Sequence, residues 1–272
     1  MNPKLLLVLL VICIAGCSSG DPNNVTTENA SALTTQGDNS TPVLTPENLL
    51  VPDNSAAIQY SVLFMGNSHV SALAEPMAIL FESGAPQKDI GILKVSTGGF
   101  LAERLDDGRS IDTLKSEVWS HVIFQAQKYS QSGQFDYPTV ATQTWIQMAK
   151  SQNATPILFP EHPQRGNSQE GQKVRDLHVS IANIQSSSVA PVGLVWDRVI
   201  NLLPNLELHQ ADGNHASDTG NFLSALVFYQ TISGNSADLI LFISSINIDA
   251  ATQDLFGQIT SEVIAEHPPC EY

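Results

Sequence analysis

A serine and a histidine that could form a hydrolytic site lie far apart in this sequence. Ser68 occurs in the run Met65-Gly66-Asn67-Ser68-His69, directly after an apolar segment, and a polar segment near the other end contains Asp212-Gly213-Asn214-His215. A serine hydroxyl becomes an effective nucleophile when a histidine takes its proton and a carboxylate fixes the tautomer of that histidine. Asp212 can fold back to reach Nδ1 of His215, which leaves Nε2 for Ser68.

Each motif alone also has a purely structural explanation. Asn67 or Ser68 could cap a following helix, because both residue types are frequent helix N-caps. Asp218 could cap a second helix, and His215 could be a solvated loop histidine. His69 is the weaker candidate for the base, since adjacent residues rarely share a catalytic geometry. The presence of both motifs in one chain favours the catalytic interpretation.

Beyond residue 54, short apolar runs alternate with amphipathic stretches of helical length. This alternation predicts one α/β domain whose parallel sheet is covered by helices on both faces. Ligands bind outside the carboxyl ends of the strands in such sheets, and Ser68 falls at such an end. Strands are predicted at 58–65, 91–95, 122–124 and 156–159, with a less certain one at 190–195, and helices at 70–83, 111–119, 139–150, 169–185, 219–232 and 250–265.

Together, the two motifs resemble the first and last blocks of the SGNH, or GDSL-like, hydrolases. The segment 212–223 is similar to the last block, in which D-x-x-H-P-S precedes an apolar helix, although Ala216 stands where proline is usual. The resemblance covers about residues 59–234. It implies a three-layer α/β/α, flavodoxin-like fold with a central parallel sheet. It also implies a triad of Ser68, His215 and Asp212 and the hydrolysis of an ester, commonly an acetyl ester on a carbohydrate.

The resemblance further implies an oxyanion hole with three donors. In that family the donors are the N–H of the serine, here Ser68, a glycine N–H after the second strand, and an asparagine side chain after the third. Gly99 fits the second position better than Gly98, although two glycines also suit a plain tight turn. The third position departs from the pattern. Gln125 is the preferred donor and Gln127 the alternative, and either could also be an ordinary polar residue beyond a strand.

Other features limit the classes of function. The net charge of −15, with 12 lysines and arginines, argues against nucleic acid as a partner. The sequence contains no H-E-x-x-H, C-x-x-C or phosphate-binding glycine loop, so we expect neither a metal nor a cofactor. Glu161, His162 and Arg165 follow the fourth predicted strand and could either line a substrate site or form a plain polar loop.

The N-terminus predicts export and lipid anchoring. Lys4 precedes an apolar run, and Ile14-Ala15-Gly16-Cys17 resembles a lipobox, whose cysteine becomes the lipidated first residue. The alternatives are an ordinary secretory signal and an uncleaved anchor. We therefore expect a signal peptide at 1–16, a lipidated cysteine and flexible tether at 17–54, and a hydrolase domain at 55–272. This organisation predicts a place in the bacterial cell envelope, attached to the membrane through Cys17.

The sequence thus predicts an exported serine esterase that removes O-acetyl or other short acyl groups from a carbohydrate. One alternative is a lipase or thioesterase, because the loops that set specificity are not readable from sequence. The other is a carbohydrate-binding lipoprotein that keeps the fold and has little activity, an alternative suggested by the altered position at Gln125.

Overall fold

A single parallel sheet forms the centre of the molecule. The computed structural model describes residues 47–96 and 98–270. The strand order is β2-β1-β3-β4-β5, which is the flavodoxin-like order, and every pair is parallel. The strands are β1 (Tyr60–Gly66), β2 (Ile90–Ser96), β3 (His121–Phe124), β4 (Thr155–Leu158) and β5 (Ser188–Val189).

Eight α-helices connect and follow the strands in the described part of the chain. They are α1 (Ala74–Gly84), α2 (Leu101–Arg104), α3 (Arg109–Ser116), α4 (Val140–Ser151), α5 (Glu170–Ile184), α6 (Val192–Leu202), α7 (Asp218–Ser233) and α8 (Ala250–Glu266). Short 3₁₀ turns occur at Ser68–Val70 and Ala237–Leu239.

The helices cover both faces of the sheet. Alternate residues of β1 point to opposite faces, so Phe64 packs in one apolar cluster and Leu63 in the other. The Phe64 cluster includes side chains of α1, α6, α7 and α8, whereas the Leu63 cluster includes side chains of α2 to α5. Burial on both faces accounts for the nearly continuous apolar sequence of the central strands. The predicted three-layer α/β fold with a central parallel sheet is confirmed.

The register of the strands brings their carboxyl ends together. Met65 of β1 pairs with Val95 of β2 and with Phe124 of β3, and Phe124 pairs with Leu158 of β4. The loops that follow these four strands therefore leave the sheet at one edge. Asn67, Ser68 and Gln125 occupy that edge.

The prediction of a strand at 190–195 is wrong. The fifth strand is the two-residue β5, and the apolar run that follows it begins helix α6. Pro191 is the N-cap of α6, where its missing N–H leaves no helical hydrogen bond unmade. Val192, Val195 and Val199 recur at helical spacing and are buried, so the run has the period of a helix.

Residues 47–54 pack against the domain, although the sequence assigns them to the flexible tether. The amino group of Lys150 donates to Oδ1 of Asn48 at 3.0 Å and to the carbonyl of Leu49 at 2.7 Å. The side-chain amide of Asn54 donates to Oγ1 of Thr155 at 3.0 Å. The folded unit therefore begins before the predicted boundary at residue 55.

The N-terminal predictions concern another part of the chain. The expected signal peptide at 1–16, the lipidation site Cys17 and the tether up to residue 46 lie outside the described residues. Within 47–96 and 98–270, no helix combines the length and apolar character needed to cross a bilayer.

Candidate active site

Ser68 is exposed at the point where β1 ends. Asn67 caps the short turn after the strand, because its Oδ1 accepts a hydrogen bond from the N–H of His69 at 3.1 Å. The carbonyl of Ser68 accepts bonds from the backbone N–H of Ser71 at 3.1 Å and from its hydroxyl at 2.7 Å. The capping role expected as an alternative therefore belongs to Asn67, and it leaves the Ser68 hydroxyl free to meet another group.

Gly66 allows this turn to sit tightly against the neighbouring strand. A Cβ atom at Gly66 would lie 2.6 Å from Oε1 of Gln125 and 2.7 Å from Cγ1 of Val70. The carbonyl of Gly66 accepts a hydrogen bond from the buried guanidinium of Arg104. Only a residue without a side chain fits this close approach, so glycine at the end of β1 fixes the position of the turn that carries Ser68.

The loop between residues 209 and 217 holds Asp212 and His215 in a compact turn. Oδ1 of Asp212 accepts the backbone N–H groups of Asn214 at 2.9 Å and of His215 at 3.0 Å. Gly213 adopts a left-handed conformation, with φ +71°, which favours glycine. The helix that follows, α7, is capped by Ser217 and not by Asp218. The carboxylate of Asp212 therefore bonds within its own loop.

The structure brings the three predicted triad residues together. Oδ2 of Asp212 lies 2.5 Å from Nδ1 of His215. Nε2 of the same ring lies 2.8 Å from Oγ of Ser68. The hydrogen bond from His215, together with two backbone N–H groups, holds the pKa of Asp212 well below its ordinary value. A carboxylate only accepts, so the ring proton belongs on Nδ1 and Nε2 is the nitrogen that can take the Ser68 proton.

A row of histidines extends inwards from His215. The ring of His69 stacks on that of His215, with centroids 5.3 Å apart and planes at 24°. The ring of His162 packs edge-on against that of His69, with centroids 5.1 Å apart, and its centroid lies 4.0 Å from that of Trp196. Burial lowers the pKa of His69 and His162, so both rings are neutral near pH 7. Sequence reasoning did not identify this row, because its members come from separate loops.

Gln125, the preferred third oxyanion donor, is completely buried and hydrogen-bonded at both ends of its carboxamide. Its Oε1 accepts the N–H of Asn67 at 2.8 Å, and its Nε2 donates to Oε2 of Glu161 at 2.5 Å. The alternative, Gln127, is buried too: its Oε1 accepts from Thr142 at 2.6 Å, and its Nε2 donates to nearby carbonyls. Gln125 thus contacts the turn of the candidate nucleophile directly, whereas Gln127 braces the loop after β3.

The backbone after β2 and β3 has unusual conformations at this edge. Ala126, directly after Gln125, has φ +76°, and its carbonyl accepts the N–H of Leu101 at 3.0 Å. A left-handed alanine costs about 1–2 kcal/mol, and such strain is concentrated at functional sites. Gly98 has φ +63°, and Gly99 lies next to it, half-buried, at the same edge. Gly99 is therefore positioned after β2, where the sequence predicts an oxyanion donor.

Glu170 connects the loops that follow β3 and β4. Tyr129 donates from its hydroxyl to Oε1 of the buried Glu170 at 2.9 Å, and Oε2 of Glu170 accepts the N–H of Gln164 at 2.7 Å. Burial and the charges of Glu161 and Glu170 raise the pKa of Tyr129, which therefore keeps its proton. Glu170 thus anchors the loop after β4 to the loop after β3.

The predicted residues after β4 have separate roles. Glu161 lines the surface beside Ser68, and His162 is buried in the histidine row. Arg165 forms an ion pair with Glu207 at 3.0 Å, and its backbone N–H donates to the carbonyl of Gly213 at 2.8 Å. Arg165 therefore supports the loop that carries Asp212 and His215.

A cleft of about 580 Å³ opens at this edge of the sheet, lined not by the three catalytic candidates themselves but by residues next to them in the sequence. Neighbours of Ser68 and His215 in the sequence, Asn67, His69 and Asn214, form the near wall. The ammonium of Lys128 lies 5.2 Å from the ring centre of Phe100 and 4.9 Å from that of Tyr137. The cleft combines aromatic rings with polar side chains. Among the described residues, no three His, Cys, Asp or Glu side chains are arranged to bind a metal ion.

One of three similar known structures shares this fold at a TM-score above 0.5. The chain matches no protein-family model and no curated protein by sequence. A DUF4886 family protein from Bacteroides uniformis superposes with a TM-score of 0.64 at 12% identity, over 78% of this chain and 96% of that one. A putative SGNH hydrolase from Slackia heliotrinireducens gives a TM-score of 0.49 at 20% identity, over 63% and 98%. The esterase EstA from Pseudoalteromonas sp. gives 0.45 at 16%, over 64% and 97%. The first likeness establishes a common fold.

Proposed function

We propose that this protein is a serine ester hydrolase of the SGNH type, with Ser68 as nucleophile, His215 as general base and Asp212 as its partner. The observation that carries the proposal is the continuous hydrogen-bonded chain from Ser68 Oγ through both nitrogens of His215 to Asp212. A helix cap or a solvated histidine would not need this arrangement. Nucleophile, base and orienting group in hydrogen-bond reach are the geometric signature of nucleophilic catalysis.

The reaction proceeds in two steps, the acylation of Ser68 and the hydrolysis of the acyl-serine. Oγ of Ser68 attacks the ester carbonyl carbon while Nε2 of His215 takes its proton, and the imidazolium then gives this proton to the departing alkoxide. The bond from carbon to the alcohol oxygen breaks, and an acyl-serine forms. Water next gives a proton to His215 and attacks the acyl carbon. The acid leaves and Ser68 recovers its proton. Asp212 stabilises the imidazolium in both steps.

The oxyanion of each tetrahedral intermediate is met by the backbone N–H groups of Ser68 and Gly99 and by the carboxamide of Gln125. The nitrogen of Gln125 carries two hydrogens, of which Glu161 accepts one. The second hydrogen is not used by Glu161, and it meets the oxyanion only if this completely buried side chain becomes exposed when the substrate binds. The hydrogen bond from Asn67 to Gln125 also ties this donor to the turn that carries Ser68.

The substrate is a carbohydrate that bears O-acetyl or other short acyl groups. Sugars present apolar C–H faces and many hydroxyls, so they suit a site with aromatic rings next to hydrogen-bonding groups. The cleft beside Ser68 offers both. Its aromatic rings include Phe100, Tyr129 and Tyr137, and its polar side chains include Gln164 and Asn214.

The protein acts in the bacterial cell envelope. The lipobox-like tetrad that ends at Cys17 supports cleavage after residue 16 and lipidation of the cysteine. The polar segment from Cys17 onwards then links the lipid to the folded domain. A multiply acylated cysteine gives stable membrane attachment. Metabolic labelling with a palmitate analogue, compared between the wild type and Cys17→Ser, tests this part.

The catalytic proposal is tested with 4-nitrophenyl acetate. We expect hydrolysis by the wild type and loss of nearly all activity in Ser68→Ala. Ser151→Ala is the matched control, because Ser151 is exposed at the end of α4 and its hydroxyl donates to the carbonyl of Met148 in the same helix. Equal rates in the wild type and Ser68→Ala, or no hydrolysis by either, would contradict the proposal.

A substrate panel tests the carbohydrate assignment. We expect release of acetate from acetylated xylan, pectin or peptidoglycan, and little hydrolysis of 4-nitrophenyl palmitate or acyl thioesters. The reverse preference would identify a lipase or thioesterase. Ser68→Ala serves as the blank for every substrate, so the release of acetate by contaminating enzymes is subtracted.

A further inference from the structure

The two ring nitrogens of His69 have different surroundings. Its Nδ1 is fully buried and has no hydrogen-bond partner within the described residues. The ring nevertheless lines the cleft beside Ser68. Nε2 is not among the buried unpaired atoms of the described residues, so it is the ring nitrogen that can meet a group in the cleft.

The orientation of this ring is fixed by its neighbours. His215 stacks on one side at 5.3 Å, and His162 meets it edge-on at 5.1 Å. His162 is only 5% exposed and packs against Trp196, so it cannot move aside. A buried ring packed in this way keeps one rotamer. This packing favours a single orientation of the His69 ring.

The surroundings also favour one tautomer. Burial and the proximity of His215 lower the pKa of His69, so the ring is neutral and carries one N–H. An N–H on Nδ1 would be buried without an acceptor, which costs free energy comparable to a lost hydrogen bond. The negative charge of Glu161, which lines the same cleft, raises the pKa of His69 and so opposes the larger effect of burial. Nε2 is therefore the donor.

A further donor complements the oxyanion hole. Gln125 contributes at most one N–H, because its oxygen accepts from Asn67 and one hydrogen of its nitrogen bonds to Glu161. A neutral imidazole is a recognised donor to developing negative charge, since it adds a hydrogen bond without a charge that would repel the imidazolium of His215.

We propose that His69 binds the substrate, donating a hydrogen bond from Nε2 to an oxygen of the ester in the cleft. This inference rests on the proposed hydrolase function, and it adds a substrate-contacting residue to the triad and the oxyanion hole. It predicts that the N–H of His69 is required for the reaction, and that its aromatic ring alone does not suffice.

The first test measures the tautomer and does not depend on activity. In ¹⁵N-labelled Ser68→Ala protein at pH 7, the imidazole nitrogen shifts of His69 should show a proton on Nε2 and none on Nδ1. His69→Gln in the same background identifies the resonances. A proton on Nδ1, or on both nitrogens, would overturn the inference. A failure of the proposed hydrolase function would leave this measurement unaffected.

The second test separates the donor from the ring. With 4-nitrophenyl acetate, we expect His69→Phe, which keeps an aromatic ring between His215 and His162, to lower kcat/KM by about 100-fold. His69→Gln provides an N–H donor again, so its kcat/KM should be about tenfold higher than that of His69→Phe. Circular dichroism is used to check that both variants fold. Equal losses in the two variants, or wild-type activity in His69→Phe, would show that the ring serves packing alone.

Discussion

Nε2 of His215 lies 2.8 Å from Oγ of Ser68, although 147 residues separate the two in the sequence. Ser68 is held by the end of β1, and His215 by the loop before α7. Close packing of that helix makes the contact possible: a Cβ atom at Gly220 would lie 2.3 Å from the carbonyl of Leu208 and 2.5 Å from the ring of Trp196. The distance between the two catalytic candidates is thus set by the packing of α7.

Asp212→Asn should lower kcat for 4-nitrophenyl acetate by about 10⁴-fold. The carboxamide can still accept the backbone N–H groups of Asn214 and His215, so the loop should keep its shape. It cannot stabilise the imidazolium, and its NH₂ group favours the wrong tautomer of His215. Stopped-flow assays at pH 8 measure the effect. A loss smaller than about tenfold would show that Asp212 only shapes the loop.

Gly66→Ala should destabilise the protein by about 1–3 kcal/mol and reduce its activity. The added methyl group would collide with the side chains of Gln125 and Val70, and relief of the collision must move the turn that carries Ser68. Gly91→Ala is the matched control in β2, since nothing lies within 4 Å of its added Cβ atom. Urea unfolding and kcat are measured for both. Similar behaviour of the two variants would contradict the steric argument.

Glu161→Ala should lower kcat by more than Glu161→Gln does. Glutamine keeps an oxygen that can accept the hydrogen bond from Nε2 of Gln125, whereas alanine leaves this buried amide without its partner. We expect a difference of about tenfold between the two variants, the equivalent of one hydrogen bond. If both variants lose activity equally, the charge of Glu161 matters and its hydrogen bond does not.

Removal of residues 47–54 should destabilise the domain. Among the described residues the amino group of Lys150 has four acceptors; it would lose Asn48 Oδ1 and the carbonyl of Leu49 and keep those from Gln185 and Ser186. A hydrogen bond from a charged donor contributes about 1.5–3 kcal/mol, so the loss of two such bonds should lower the free energy of unfolding measurably. Urea unfolding of chains that begin at residue 47 and at residue 55 measures the loss. Equal urea midpoints for the two chains would show that residues 47–54 behave as part of the flexible tether.

Stability should fall as the pH drops below 6.5, in part because of His121. Burial lowers the pKa of His121 to about 3. Since the ordinary value is about 6.5, between these limits the unfolded chain binds a proton that the folded protein does not. The contribution of His121 to the free energy of unfolding is therefore fully present above about pH 6.5. On acidification it decreases by up to about 1.4 kcal/mol per pH unit.

The matched variant for this pH dependence is His121→Gln. Its free energy of unfolding is measured in urea between pH 6 and pH 4.5. The decrease per pH unit should be smaller than in the wild type by the equivalent of about one bound proton. His178, whose pKa burial lowers to about 4, contributes to both proteins equally and cancels in the comparison. Identical slopes would show that His121 titrates alike in the folded and unfolded chains.

The sequence by itself determined the layered fold and the three triad candidates. Both depend on local patterns: the apolar runs of β1 and β3 have strand length, α7 follows a polar loop, and Asp212 lies within one turn of His215. Strand ends in a parallel sheet meet at one edge, so the position of Ser68 followed from the order of the elements. The same local patterns misassigned residues 190–195, because a short apolar run suits a buried strand and a buried helix equally.

The tertiary structure alone decided which side chains surround Ser68. The carboxamide of Gln125 is bonded to Asn67 and to Glu161, and the ring of His69 is packed against His215. These partners come from loops after different strands, and their pairing depends on strand register and on the distances between loops. Strand register and the distances between loops leave no periodic signal in the sequence, because the hydrogen-bond partner of a side chain depends on proximity in space.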